Sequence, residues 1–173
     1  MKKILMVIII FVIICICIWF QIGFLNSIPL AGIIANIGIV LVAGLGLITG
    51  KFIGGTVGGA YGLLIDICFG RSVGIYTALY SLSGVIAGFL NKGFSKGNKI
   101  SMVMLILICT AFFETMVYIL NIIFNKYEFN LSVLVVNLIL ESAYNMLLTI
   151  IFFKPIVFLG DILNKTKNSY YLL

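Results

Sequence analysis

The chain divides into six stretches of roughly twenty residues, each with at most one charged side chain, and this restricts it to very few folds. In hydrocarbon every backbone N–H and C=O must find a partner within the protein, so only helices and closed barrels cross. The runs, at about 4–25, 28–49, 52–70, 73–91, 100–124 and 131–153, are too long for barrel strands and predict an all-α bundle of six transmembrane helices. With 63% hydrophobic and 9% charged residues, nothing is left for a soluble domain; residues 1–173 read as one polytopic unit ending in a cytoplasmic tail over 154–173. The third and fourth runs are parted by Arg71 and Ser72 between Gly70 and Gly74, which read as a tight turn. The alternative is five spans with a re-entrant third segment.

The basic residues orient this bundle. With the N-terminus inside, Lys2, Lys3, Lys51, Lys92, Lys96, Lys99, Lys154, Lys165 and Lys167 are cytoplasmic, and Arg71 and Lys126 are external. Such a bias follows the positive-inside rule and places both termini in the cytoplasm. The external loops, over 21–27, 71–72 and 125–130, are then short. The net charge of +6 is topological, suited to anionic lipid headgroups and lacking the clustered patch that nucleic-acid binding needs. The Met-Lys-Lys start precedes an apolar run with no small-residue cleavage site, so it reads as an uncleaved first helix.

Within the third run Gly50, Gly54, Gly58 and Gly62 recur every fourth residue, Asp66 takes the next rung, and Gly70 and Gly74 continue the spacing. A four-residue step leaves about 40° of rotation per rung, so these positions form one stripe of nearly bare backbone. Small residues at this spacing let helices approach closely in lipid, where apolar side chains gain nothing by leaving the tails. Gly84 and Gly88 offer a second such pair in the fourth run. An acid on the stripe points into protein.

Three acids, Asp66, Glu114 and Glu141, lie inside spans, where an ionisable group costs about 2.5–3.5 kcal/mol on insertion scales and is a functional candidate by default. Asn137 and Asn145 flank Glu141 one turn away on the same face, with Tyr144 beside them. Glu114, Tyr118, Asn121 and Asn125 form a similar stripe on the fifth helix, and the second adds Asn36. Together these groups imply a polar seam or small cavity opening outward. They either satisfy one another across helices or hold a partner or ligand, and both readings stay open.

Catalysis has no foothold in this composition. Without histidine there is no histidine-based triad or histidine zinc site; a second aspartate comes only at Asp161, past the last span; and no Gly-x-Ser-x-Gly elbow or Walker loop occurs. Cys15, Cys17, Cys68 and Cys109 lie in apolar runs without metal-ligand spacing and read as small packing residues. No cofactor or metal is expected.

The order of these features resembles a family. The stretch KFIGGTVGGAYGLLIDICFGRSVGIYTALYSLSGVIAGFLNK, residues 51–92, resembles the core of the rod shape-determining protein MreD family: a glycine-rich third helix ending in an acid at Asp66, a turn at Gly70, Gly74 with Ile75, and a small-residue helix closing with Ala87 and Gly88. ESAYNMLLTIIFFKPI, residues 141–156, resembles the family's last helix through Tyr144 and Asn145. Where the family often has proline before Asp or Asn in the second helix, this chain has Ala35 before Asn36. The resemblance implies a non-enzymatic scaffold of the bacterial elongation complex in the inner membrane. It would bind MreC, in a complex with MreB, RodA and a class B transpeptidase, and no small-molecule substrate would be expected. The polar groups of the fifth and sixth helices would then hold a partner's transmembrane helix.

The segment Gly58–Gly88 is also similar to substrate-binding S components of energy-coupling-factor vitamin transporters, six-span proteins of this size. That resemblance implies a ligand anchored by Glu114, Glu141 and Asn145. The Ala-x-x-x-Ala docking motif of their first helix is missing from residues 4–25, and the pair Ala31 and Ala35 belongs to the second run.

Overall fold

The described residues form six α-helices: α1 (Lys2–Gly23), α2 (Ile37–Thr49), α3 (Lys51–Phe69), α4 (Ile75–Leu90), α5 (Lys99–Asn125) and α6 (Leu131–Asn168). The structure, a computed structural model, describes residues 2–29, 32–69, 74–91, 93, 98–125 and 129–168. Among these residues no strand forms. Four segments are long and apolar enough to cross a membrane: Val7–Ser27, Lys51–Phe69, Lys99–Phe124 and Leu131–Asn164.

At the centre is α2. Every one of its residues is buried, and α3, α4, α5 and α6 all pack on it. Its 13 residues rise only about 20 Å, short of the ~30 Å hydrocarbon layer. The run expected to be helical over 28–49 is therefore helical only from Ile37. A short 3-10 turn at Leu25–Ser27 and irregular chain lead into it. Non-helical backbone survives at membrane depth only where protein or a cavity satisfies it, and Ala35 in this segment is fully buried.

The glycine stripe does what its spacing predicts, with one correction. Gly54, Gly58 and Gly62 face α4, and added Cβ atoms there would collide with backbone: with Gly84 O for Gly54, with Tyr80 O for Gly58, and with Tyr76 O and Thr77 Cα for Gly62. The helices run antiparallel, so ascending rungs of α3 meet descending residues of α4. Gly46 of α2 joins the contact, since a Cβ there would lie 2.6 Å from Gly84 O. Gly88 closes it against the Gly50–Lys51 backbone. Gly50 itself is not a helical rung. It is the single-residue joint between α2 and α3, with φ of 94°, a left-handed region that side chains disfavour.

The last helix departs most from expectation. Pro155 reads in the sequence as the end of the span, yet α6 runs through it to Asn168. The part beyond the proline continues along α2: Ile156 and Leu163 are buried, Gly160 abuts Ile48, and Asn164 Nδ2 donates to Ile48 O at 3.1 Å. Up to Asn164, then, the expected tail belongs to the bundle.

By contrast α1 is peripheral. Ile14 and Ile18 are its buried residues, whereas Ile4, Val7, Phe11, Ile16 and Trp19 are exposed, as suits a helix facing lipid. Cys109 is buried, but Cys15 and Cys68 are exposed and do not fill the core as expected. The turn expected at Gly70–Ser72, and Ala31, Lys92, Lys96 and Lys126, lie outside the described residues.

Candidate functional site

A helix begins with N–H groups that have no partner in the helix, and in α2 this happens inside the protein. Three polar side chains answer it. Asn36 caps the helix, its Oδ1 accepting Ile39 N–H at 3.2 Å and the Tyr80 hydroxyl at 2.8 Å. Gln21 of α1 clamps the same turn, its Oε1 accepting from Ile37 N at 3.0 Å while its Nε2 donates to Ala35 O at 2.8 Å. Asn145 of α6 accepts Asn36 N–H at 2.7 Å, and its Nδ2 donates to Thr110 Oγ1 at 3.1 Å and Glu141 Oε1 at 3.4 Å. One helix start thus ties α1, α4, α5 and α6 together.

Beside this network lies a cavity of about 490 Å³, at the end of the bundle where α1 and α3 finish and α4 begins. Its polar wall includes Gln21, Asn36, Glu114 and Glu141, and its aromatic wall is Tyr61, Tyr76, Tyr80 and Phe113. The aromatic rings support each other, with centroids 4.9 Å apart for Tyr61 and Tyr80 and 4.6 Å for Tyr80 and Phe113. Glu141 is buried and Glu114 is half-buried, and both line the cavity. Tyr61 is fully buried, and its hydroxyl is the one buried side-chain polar atom among the described residues without a hydrogen-bond partner.

Of the polar residues that stand out in the sequence, Asn36, Glu114 and Glu141 meet at this cavity, with Asn145 directly behind. The others do not. Asp66, the fifth rung of the stripe, is reassigned: its carboxylate accepts from Gly74 N at 2.9 Å, Tyr76 N at 3.1 Å, Thr77 N at 2.9 Å and Thr77 Oγ1 at 2.6 Å. It holds the first turn of α4 through four hydrogen bonds to its two oxygens. Tyr118 closes the α5–α6 connection, its hydroxyl donating to Asn130 O at 2.9 Å and accepting from Asn130 N at 2.7 Å. Tyr144 donates to Ile28 O at 2.8 Å, anchoring the irregular segment. Asn137 is half-buried on α6, one turn before Glu141.

Sequence reasoning puts Gln21 in an external loop and passes over Tyr61, Tyr80 and Phe113. Gln21 is the one strongly polar residue of its run, a usable signal. A signal for Tyr61 exists too, in Gly38: a Cβ there would lie 2.7 Å from Tyr61 Cζ and 2.9 Å from Tyr80 Cε1.

These features define a class, an all-helical multi-pass membrane protein with its polar chemistry enclosed in the bundle. Comparison with family models, curated proteins and solved structures finds no match to this chain.

Proposed function

We propose that this chain is a non-enzymatic scaffold of the bacterial elongation complex, an MreD-type subunit of the inner membrane that binds MreC. The observation that carries the reading is the α3–α4 hairpin. The stretch that resembles the family forms one backbone-to-backbone unit, with the acid of its signature holding the start of α4. All six helices cross in this reading, in an arrangement like that of the S components. The enclosed helix α2 is short because protein surrounds it, and the lysine-rich connections face the cytoplasm. Little chain projects beyond the bilayer, so recognition of MreC takes place within the membrane or at its outer surface. Glu114 and Glu141 at the cavity are the available polar groups. Asn145 acts from behind by fixing the helix start.

The test is co-purification of the tagged chain from its native membrane in mild detergent, with associated proteins identified by mass spectrometry. MreC with RodA and a class B transpeptidase is the expected result. Glu141→Gln should reduce MreC recovery and alter cell width; both unchanged would remove the cavity from partner binding. One observation, the cavity itself, favours a second reading, in which it serves a substrate-binding component of a vitamin transporter. Recovery of paired ATPases and a shared membrane coupler would establish that reading and overturn the scaffold.

A further inference from the structure

We infer that an apolar slot between α1, α2 and α6 holds the end of a phospholipid acyl chain. The slot has a volume of about 220 Å³ and an apolar wall throughout. Ile16 and Cys17 of α1 form one side, Pro155 and Leu159 of α6 the other, and Ile37 and Leu41 of α2 the floor.

Side-chain length explains why the helices stand apart here. At one end of the slot α1 and α6 touch through Phe20 and Phe152, whose ring centroids are 5.8 Å apart, and Gln21 ties α1 to the start of α2. At the other end, where Ile10 and Ile14 approach Leu159 and Leu163, only about 10 Å³ is left free. Between these contacts the wall includes Cys17 and Pro155, two short side chains. The slot is therefore closed at both ends and opens sideways, past Ile16 and Pro155, which are exposed.

Position and size select the occupant. Residues 13–17 lie near the middle of the segment Val7–Ser27, so the mouth faces the hydrocarbon interior and not a headgroup layer. Water gains no hydrogen bond from an apolar wall, and such cavities stay dry. A helix from a partner or a second copy is too large, since one turn with its side chains fills roughly 400 Å³. A single methylene chain fits, and it gives the lining atoms the dispersion contacts that a void denies them. At this depth the part that enters is the chain's end. Because α1 buries little else than Ile14 and Ile18, the inserted chain completes its packing on the bundle. This site is separate from the cavity at Glu114 and Glu141 and goes beyond the function proposed above.

The test uses the purified full-length protein in phosphatidylcholine vesicles, with a trace of phosphatidylcholine carrying a diazirine at the end of one acyl chain. Photolysis is followed by mapping of the labelled residues. Every residue of α2 is buried, so lipid that merely surrounds the bundle reaches exposed positions such as Ile108 and Phe124 and leaves α2 untouched. Labelling of residues 37–41 alongside Ile108 is the expected result. Moving the diazirine next to the glycerol should abolish the labelling of residues 37–41, because the chain enters end first. Cys17→Phe should fill the slot and lower that labelling about tenfold, as close packing excludes the chain, with Ile108 labelled as before. Ile16→Phe, at the exposed mouth, should lower it by a smaller factor and serves where Cys17→Phe does not fold. Label at Ile108 and Phe124 with none at residues 37–41 would mean surrounding lipid only and overturn the inference. Labelling of residues 37–41 that neither variant reduces would do the same. So would protection of Ile16 together with residues 37–41 in a chemically crosslinked dimer, which would place a second copy over the mouth.

Discussion

The two ends of the bundle are held together by different means. Near Lys51 the contact is backbone on backbone, with Gly46, Gly54, Gly84 and Gly88 letting α2, α3 and α4 approach closely. Towards Phe69 α3 and α4 stay in backbone contact at Gly62, but the other helices are separated from them by aromatic rings and polar groups, and a cavity opens among them. Hydrocarbon gives both ends little hydrophobic reason to close, so one end uses dispersion at short range and the other uses hydrogen bonds. Close packing leaves nothing to bind a guest. Hydrogen bonding across a gap leaves room for one.

If the close-packed end is the anchor, the largest loss should come from its middle rung. Gly58→Leu should destabilise by about 3 kcal/mol or more through overpacking against Tyr80 O, read as a lower thermal-aggregation midpoint in detergent. An unchanged midpoint would mean that α3 and α4 do not depend on this contact. Next in size is Asp66→Ala, which strands three part-buried backbone donors at the start of α4 and should cost about 2–3 kcal/mol, with faster hydrogen exchange confined to residues 74–77.

At the open end Asn145→Ala should cost about 1–2 kcal/mol by orphaning Asn36 N–H, with faster exchange at residues 36 and 37 and the glycine contacts intact. Exchange that also rose at Gly54 and Gly84 would show the two ends to be one cooperative unit. The smallest effect sharpens the comparison within one helix. Gly59 neighbours Gly58 but leaves room for a methyl group, since an added Cβ would come no nearer than 3.9 Å to Ser81 of α4, so Gly59→Ala should be neutral or stabilise by about 0.5–1 kcal/mol through helix propensity. A loss as large as that of Gly58→Leu would mean that the register of the hairpin is different.

Much of the close-packed end is legible in the residues alone, because a four-residue glycine period has one simple physical reading. The identity of the facing helix is not. It depends on antiparallel register, which is also why Asp66 reads as a free intramembrane acid until α4 is laid beside it. The open end is half legible. Buried Asn and Glu stand out in apolar runs, whereas Tyr61 and Phe113 look like any lipid-facing aromatic until Gly38 and the cavity place them. The start of α2 is hidden most completely, since Asn36 alone breaks an apolar run and its partners Gln21 and Asn145 lie elsewhere in the chain.

The groups that complete α2 come from far along the chain: Asn145 reaches Asn36 across 109 residues, and Asn164 reaches Ile48 across 116. During synthesis the central helix is therefore made early and finished last. Until the final helix leaves the ribosome, the polar ends of α2 lack those partners in the lipid. A nascent chain that stops short of α6 leaves them unmet.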